Sequence, residues 1–206
     1  MFNLKNGHLA LNRFITKKDP FIGNIEMYEN SEINVANTFF IHSGCDVMVF
    51  KNAKYWTNEN HWEWATKPNA REKASFLKEN ILPIQESGQL NFISGNPIQQ
   101  VGFDVLKMDG HTEKQMLPKI FYQGKTIIFM ADLLPTTGHI PVPYVMGYDT
   151  RPLLTIKEKE DFLNEAADNE YFLFLEHDAY SEICTVQHTN KGVRLKETHK
   201  FKDIFN

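Results

Sequence analysis

Three apolar runs in the second half of the chain each end at a side chain that can bind a metal ion. The runs and the side chains that follow them are Val105–Met108 with His111, Lys125–Ala131 with Asp132, and Tyr171–Leu175 with His177. An unbroken apolar run is typical of a strand that is buried on both faces. Groups at the ends of such strands gather at the carboxyl edge of a sheet, and two imidazoles with one carboxylate suit zinc or another transition metal. The pattern therefore predicts an α/β protein with a metal site at His111, Asp132 and His177.

Length, charge and cysteine content exclude several other classes. A chain of 206 residues suits one domain, or one domain with a short extra segment. The formal net charge of −4 gives no electrostatic reason to expect a nucleic acid or an anionic membrane as partner. Cys45 and Cys184 form no C-x-x-C pair, which argues against a disulfide framework. Without an apolar run long enough to span a bilayer or a signal peptide, we expect a cytoplasmic protein. A homodimer is one possible assembly, and the sequence does not choose the oligomeric state.

Helix signals occur in two parts of the chain. Thr57 can cap a short helix that carries Trp62 and Trp64, and Pro68 is placed to start a helix over residues 69–85. Pro83 is expected to kink or end that second helix, and Gly88 to close it. Farther along, residues 155–158 read Thr-Ile-Lys-Glu, a capping box that predicts a helix from Thr155 to about Ala167.

Strand patterns dominate the rest of the second half, and a long loop rich in proline and glycine covers residues 134–152. The predicted strands are 90–93, 103–108, 116–122, 126–130, 171–175, 183–188 and 192–195. The mixture of strands and helices indicates a layered α/β fold. Loops over a sheet edge commonly carry function, so His139 and Tyr148 are candidate substrate-binding residues. The alternative is that this loop is simply packed by its prolines and aromatic residues.

Each candidate ligand also has a purely structural interpretation. His111 could be a hydrogen-bonded loop residue, Asp132 a turn or helix-capping carboxylate, and His177 part of a surface turn. A buried carboxylate such as Asp132 needs a cation, a metal ion or several N–H donors. The shared placement of all three at strand ends is what favours a metal site. No G-x-S-x-G elbow, Walker loop or G-x-G-x-x-G motif supports another chemistry.

These motifs resemble the metallo-β-lactamase superfamily of metal-dependent hydrolases, over about residues 50–206. Gly110-His111-Thr112 is similar to the family's third histidine motif, Ala131-Asp132 to its bridging-aspartate motif, and Glu176-His177-Asp178 to its last histidine motif. The spacings, 21 residues from His111 to Asp132 and 45 from Asp132 to His177, suit the family. Residues 50–56 and 131–149 resemble its lactonase-like and general hydrolase branches. The resemblance implies an αβ/βα sandwich with one or two zinc ions at the edge of its sheets.

The family's H-x-H-x-D-H motif is absent from the chain. Residues 41–46, Ile-His-Ser-Gly-Cys-Asp, offer similar residue types at a different spacing. We therefore expect residues 1–49 to be an atypical segment, truncated or replaced relative to the family, and residues 50–206 to be a partial domain of this fold.

The resemblance implies a zinc hydrolase that cleaves an ester, a lactone or a related bond of a small molecule through a metal-activated water. In that scheme Asp132 bridges two ions, His111 holds the first and His177 the second. The alternative is a remnant or interaction module of the same fold without catalysis. Metal content and the effect of replacing Asp132 separate the two hypotheses.

Overall fold

The structure is a computed structural model that describes residues 54–93 and 103–205, together with the backbone of three short strands near the N-terminus. It divides into two compact units, Met1–Gly95 and Asn96–Asn206. The predicted boundary between residues 49 and 50 and the segment 41–46 lie outside the described residues and stay predictions. In the described part of the chain, no helix has the length and apolar character that a membrane span requires.

The first unit contains a five-stranded sheet with the order β2-β1-β3-β4-β5. Its strands are β1 (Phe2–Lys5), β2 (His8–Leu11), β3 (Val35–Ala36), β4 (Lys54–Thr57) and β5 (Leu90–Phe92). Strand β4 pairs in parallel with both β3 and β5, whereas β1 pairs antiparallel with β2 and β3. Parallel neighbours require a crossover, and two helices between β4 and β5 supply it.

Those helices, α1 (Glu59–Thr66) and α2 (Lys78–Glu86), differ from the sequence prediction at their ends. Asn58, not Thr57, caps α1, because the Asn58 side chain accepts a hydrogen bond from the His61 N–H at 2.8 Å. The predicted helix over 69–85 is also wrong in its first part. The Asn69 side chain accepts from the backbone N–H groups of Arg71 and Glu72, which forms a turn there instead.

Pro83 neither ends nor interrupts α2, which continues to Glu86. Ile81 and Ile84 are buried on either side of Pro83, and this packing holds the turn despite the missing N–H. Gly88 then closes the segment with φ of 74°, in the left-handed region that a glycine adopts without steric cost.

The second unit contains a six-stranded sheet with the order β11-β10-β9-β8-β7-β6. Its strands are β6 (Phe103–Met108), β7 (Gln115–Tyr122), β8 (Lys125–Phe129), β9 (Phe172–Phe174), β10 (Ile183–Thr189) and β11 (Gly192–His199). All neighbours are antiparallel except β8 and β9. The predicted strands of this region are confirmed, with ends that differ by a few residues. Apolar alternation and turn residues are local signals, so the strands could be read from the sequence.

Strand direction determines where the predicted ligands lie. Strands β6 and β8 are both antiparallel to β7 and therefore run the same way, and β9 is parallel to β8. Their carboxyl ends consequently lie on one edge of the sheet, and His111, Asp132 and His177 follow those three ends.

The crossover between β8 and β9 contains helix α3 (Pro152–Asp168), the longest helix of the described residues. It begins one turn before the predicted start at Thr155, because Pro152 occupies its first turn, where a missing N–H has no cost. The predicted capping box is therefore wrong: Thr155 lies inside the helix, and Glu158 binds a different part of the chain. The short helix α4 (Phe201–Ile204) ends the described chain.

Helix α3 covers the sheet of the second unit through an apolar core. Phe162, Leu163 and Ala166 of α3 belong to one buried cluster with residues of the sheet, among them Leu117, Ile128, Leu173, Cys184 and Val186. Fully burying one such side chain stabilises the fold by about 1.5–3 kcal/mol. The core fixes α3 over the sheet, and the first half of α3 then contacts the loops at the carboxyl edge.

Candidate metal centre

His111 lies in a tight turn after β6 that packs directly on α3. Glu158 of α3 accepts hydrogen bonds from the backbone N–H groups of Asp109 at 2.7 Å and Gly110 at 2.9 Å. A Cβ atom on Gly110 would overlap the backbone nitrogen of Thr155, so the close approach requires glycine. The turn is thereby held in one position, and His111, the next residue, is buried with it.

The N-terminal end of α3 holds the same turn from a second side. The Arg151 guanidinium donates to the carbonyl of Asp109 at 2.7 Å, and the Arg151 N–H donates to the carbonyl of Gly110 at 2.9 Å. The Thr150 hydroxyl donates to the carbonyl of His111 at 3.0 Å. Backbone donors and acceptors of the turn are thus paired by α3 and by the two residues before it, which leaves the imidazole to be oriented by other side chains.

Asp132 follows β8 through an unusual backbone step. Ala131 has φ of 43°, a left-handed conformation that turns the chain out of the strand direction. The N–H of Met130 still pairs with the carbonyl of Phe174 in β9, and the N–H of Leu133 closes a turn onto Met130. Asp132 is 7% exposed, so its carboxylate is presented at the sheet edge while it remains nearly covered.

His177 is placed by the turn that follows β9. Its N–H donates to the carbonyl of Pro135 at 3.2 Å, which ties the turn to the loop after β8. The neighbouring carboxylate of Asp178 accepts from the N–H groups of Thr137, Tyr180 and Ser181. Burial of Asp178 favours the neutral acid, but these hydrogen bonds outweigh it and lower the pKa of the carboxyl to about 2.

The structure brings the three predicted ligands together around the carboxylate of Asp132. Nε2 of His111 lies 3.4 Å from Oδ2 of Asp132, and Nε2 of His177 lies 3.2 Å from Oδ1 of the same carboxylate. Donor atoms that share one tetrahedral zinc ion, at about 2.0–2.1 Å each, are separated by roughly 3.3 Å. Both spacings therefore suit either a direct hydrogen bond or a shared metal ion, and the role of these residues as metal ligands stays a prediction.

The orientation of the His111 ring comes from Asp149, in the long loop before α3. Nδ1 of His111 lies 2.8 Å from Oδ1 of Asp149, which is 3% exposed. A carboxylate is an acceptor, so Nδ1 donates to Asp149, and Nε2 is directed at Asp132. Carboxylates that hold the far nitrogen of a histidine in this way fix the ring and its tautomer for metal binding.

His177 and Glu176 complete the electrostatics of the centre. The hydrogen bond to Asp132 raises the pKa of His177 above its ordinary value. Burial, and then the negative charge of Asp132, raise the pKa of Glu176 to about 7. The side chain of His177 is 51% exposed, whereas those of His111 and Asp132 are each 9% exposed. The centre is therefore covered on the His111 side and open to solvent on the His177 side.

The donor types fit a transition metal, but the donors are paired rather than clustered. Each imidazole faces a different oxygen of Asp132, so each side offers one nitrogen and one oxygen. Within residues 54–93 and 103–205, no group of three or more histidine, cysteine, aspartate or glutamate side chains is arranged to hold a metal ion. Zinc sites in proteins use three or four protein ligands. A complete site therefore needs donors beyond these two pairs.

The two predicted substrate-binding residues lie in the loop that borders this centre. His139 ends a short 3₁₀ turn and its Nδ1 lies 2.8 Å from the Thr136 hydroxyl. Burial, together with the positive charge of Lys159, lowers the pKa of His139. Tyr148, next to Asp149, is 78% exposed. A role in substrate binding stays a prediction for both residues.

Sequence reasoning did not identify the partners that hold His111. Asp149 is 38 positions away in the chain and Glu158 is 48 positions from Gly110, so no local spacing connects them to the turn. Gln115, at the start of β7, also lies beside Asp132, with its Nε2 3.5 Å from Oδ2 of that carboxylate. The only sequence signal for Gln115 was a polar residue directly before the apolar residues of β7.

Comparison with known proteins adds structural relatives but no close sequence relative. No protein-family model and no curated protein sequence matches the chain significantly. A probable metal-dependent hydrolase from Staphylococcus aureus has a TM-score of 0.72 at 21% identity, over 88% of this chain and 69% of that one. The hydrolase AbOPH of the beta-lactamase superfamily has a TM-score of 0.64 at 18% identity, over 78% of this chain and 60% of its own.

A third similar structure is AidC, described as a dizinc quorum-quenching lactonase in complex with a homoserine product. Its TM-score is 0.61 at 18% identity, over 81% of this chain and 60% of AidC. The chain thus spans between 60% and 69% of the length of these three structures. At such low identity the similarity concerns the fold alone. The chain has the metallo-β-lactamase fold.

Proposed function

We propose that the protein is a metal-dependent hydrolase that uses zinc to cleave an ester, a lactone or a related bond in a small molecule. One observation carries this proposal: the two oxygens of Asp132 each face the Nε2 atom of a different histidine, at 3.4 and 3.2 Å. A carboxylate between two imidazoles is the arrangement that a bridging metal ligand requires. Zinc held there would supply a water of lowered pKa and would polarise the scissile carbonyl.

The protein's own residues have separate tasks in this proposal. Asp149 keeps Nδ1 of His111 protonated and so keeps Nε2 available as a ligand. The turn held by Glu158 and Arg151 prevents His111 from moving away from Asp132. The substrate approaches from the side of His177, which is the solvent-exposed part of the centre.

The choice of bond is supported by the similar structures. Among them are a dizinc lactonase with an N-acyl homoserine product and further lactonases that act on N-acyl homoserine lactones. These activities belong to those proteins. For this chain they make lactones and esters the first substrates to test, with the loop of His139 and Tyr148 as the wall that contacts them.

A second candidate function is an interaction module without catalysis. It is favoured by the absence of the H-x-H-x-D-H motif. It is also favoured because, within the described residues, each oxygen of Asp132 faces one histidine nitrogen and no group of three histidine, cysteine, aspartate or glutamate side chains is arranged to hold a metal ion. Such a protein would keep the fold and the hydrogen bonds of the centre but would bind metal weakly. Activity and metal content distinguish it from the hydrolase.

The test compares the wild-type protein with Asp132→Asn, which keeps the shape of the side chain and removes its charge. Asp161→Asn is the matched control, because the Asp161 side chain is exposed on α3 and forms an ion pair with Lys157 of the same helix. We expect zinc uptake and turnover of lactone or ester substrates by the wild type and by the control. If Asp132 is a metal ligand, Asp132→Asn should lower turnover by more than about 100-fold, which exceeds the effect of removing a residue that only hydrogen-bonds to a ligand.

Two results contradict the hydrolase. The first is turnover that is the same in Asp132→Asn as in the wild type, which would place catalysis elsewhere. The second is a pure wild-type protein that takes up no zinc and hydrolyses none of the substrates, which favours the interaction module.

A further inference from the structure

Gln115 is a buried amide whose hydrogen bonding is incomplete. It is the first residue of β7 and is 7% exposed. Its Nε2 lies 3.5 Å from Oδ2 of Asp132, at the outer limit of a hydrogen bond. Its Oε1 is buried and has no hydrogen-bond partner among the described residues. A buried acceptor without a partner destabilises the folded protein, so the unpaired Oε1 of Gln115 needs an explanation.

The amide has two orientations, related by rotation about its last bond. With Nε2 towards Asp132, the amide donates one long hydrogen bond and leaves Oε1 without a donor. With Oε1 towards Asp132, two acceptors face each other, which is unfavourable unless a cation lies between them. A cation at Oδ2 would therefore make the second orientation favourable and would give Oε1 a partner.

The same carboxylate oxygen is the one that faces His111. Oδ2 of Asp132 lies 3.4 Å from Nε2 of His111 and 3.5 Å from the Gln115 amide. An imidazole nitrogen, a carboxylate oxygen and an amide oxygen would form a set of three donors on this side. Such a nitrogen and oxygen set suits zinc and similar divalent ions.

We propose that Gln115 is a metal ligand of this protein, with Oε1 joining Nε2 of His111 and Oδ2 of Asp132 around one divalent ion. This inference rests on the proposed function. His111 and Asp132 provide two donor atoms for a metal ion, and Gln115 would provide the third. A glutamine is neutral, so it adds a ligand without adding charge to a centre that already contains Asp132 and Glu176.

The competing explanation is that Gln115 only supports Asp132 as a hydrogen-bond donor. The substitution Gln115→Glu separates the two explanations, because they predict opposite effects on zinc binding. If Gln115 is a ligand, a carboxylate at this position binds the ion more tightly. If Gln115 is only a donor, the new carboxylate cannot donate to Asp132, so the support of Asp132 is lost and zinc binding weakens, as in Gln115→Met.

The experiment measures zinc affinity by competition with a chromophoric chelator, and the melting temperature with and without zinc. The variants are Gln115→Glu and Gln115→Met, with Gln187→Met as control, because Gln187 is an exposed glutamine on β10 of the same unit. We expect Gln115→Met to weaken zinc binding by at least about ten-fold and Gln115→Glu to tighten it by about as much. Without zinc, Gln115→Glu should melt at a lower temperature than the wild type, and zinc should raise its melting temperature more. Gln187→Met should match the wild type.

The inference is overturned if Gln115→Glu binds zinc no more tightly than the wild type, or if Gln115→Met binds it equally well. Zinc binding that ignores Gln115 but is lost in Asp132→Asn would leave the proposed function intact. No zinc binding by either the wild type or Gln115→Glu would overturn both.

If the Gln115 variants do not fold, the wild-type protein still provides a test by NMR. Added zinc should shift the side-chain amide resonances of Gln115 and leave those of Gln187 in place. Unchanged Gln115 resonances at saturating zinc would contradict the inference.

Discussion

Lys159 provides the most quantitative prediction, because α3 buries it beneath the loop that borders the candidate centre. It is 1% exposed, and its ammonium donates to the carbonyls of His139, Pro141 and Tyr144. Burial lowers the pKa of Lys159 from 10.5 to about 8, although the negative charge of Asp149 opposes the change. The loop that carries Asp149 is thus fastened to α3 by a buried cation that contacts backbone carbonyl groups.

The lowered pKa has a definite consequence for stability against pH. Between about pH 8 and pH 10.5 the unfolded chain holds a proton on Lys159 that the folded protein has released, so stability rises with pH in this range. A fall from 10.5 to about 8 corresponds to about 3 kcal/mol, because one pKa unit equals about 1.4 kcal/mol. The contribution of Lys159 is therefore smallest below about pH 8 and is fully present above 10.5.

The assay measures the free energy of unfolding in urea at about pH 7.5 and at about pH 10.5. The variant is Lys159→Met, which removes the titration, and the control is Lys157→Met, an exposed lysine on the same helix. Other groups titrate in this range, so the informative quantity is the wild-type change minus the variant change. We expect a difference of about 3 kcal/mol for Lys159→Met and almost none for Lys157→Met. Equal pH dependence of the unfolding free energy in the wild type and Lys159→Met would refute the argument that burying the charged Lys159 ammonium lowers stability.

Three further predictions concern the supports of the centre and the core. Gly110→Ala should lower the free energy of unfolding by about 1–3 kcal/mol or more, because the new Cβ would overlap the backbone of Thr155. Gly147→Ala, which adds its Cβ in open space, should not, and equal urea midpoints of the two variants would contradict this. Asp178→Asn should lower the free energy of unfolding by about 2 kcal/mol at neutral pH. Because the pKa of Asp178 is about 2, this loss should vanish as the pH falls from about 4 to about 2, and a wild-type-minus-variant difference in stability that stays constant over that range would contradict the prediction. Cys184 should resist alkylation until the protein unfolds, because its thiol is buried and burial raises its pKa to about 12. Peptide mapping that finds Cys184 alkylated in the native protein would contradict its buried position.

The sheet of the second unit could be predicted because its signals are local. The run from Lys125 to Phe129 is bounded by a tight turn before it and by Asp132 after it, and such patterns identify a strand without knowledge of its neighbours. The common edge for the three ligand candidates also followed, since side chains that end strands of one direction share an edge.

The parts that could not be predicted depend on contacts between distant residues. Glu158 lies three positions after Thr155, which is the spacing of a capping box, but its carboxylate binds the turn before His111 instead. Tertiary hydrogen bonds outweighed a local motif there. Asp149 is similar: nothing in a loop rich in proline and glycine indicates which histidine its carboxylate will face.

Anomalous diffraction from crystals soaked in zinc tests the central claim most directly. We expect a zinc peak at Asp132, with a carboxylate oxygen and the Nε2 atom of His111 or His177 each at about 2.0–2.2 Å. A zinc peak bound elsewhere, or none at Asp132 after saturating soaks, would contradict the claim that these strand ends form a metal centre.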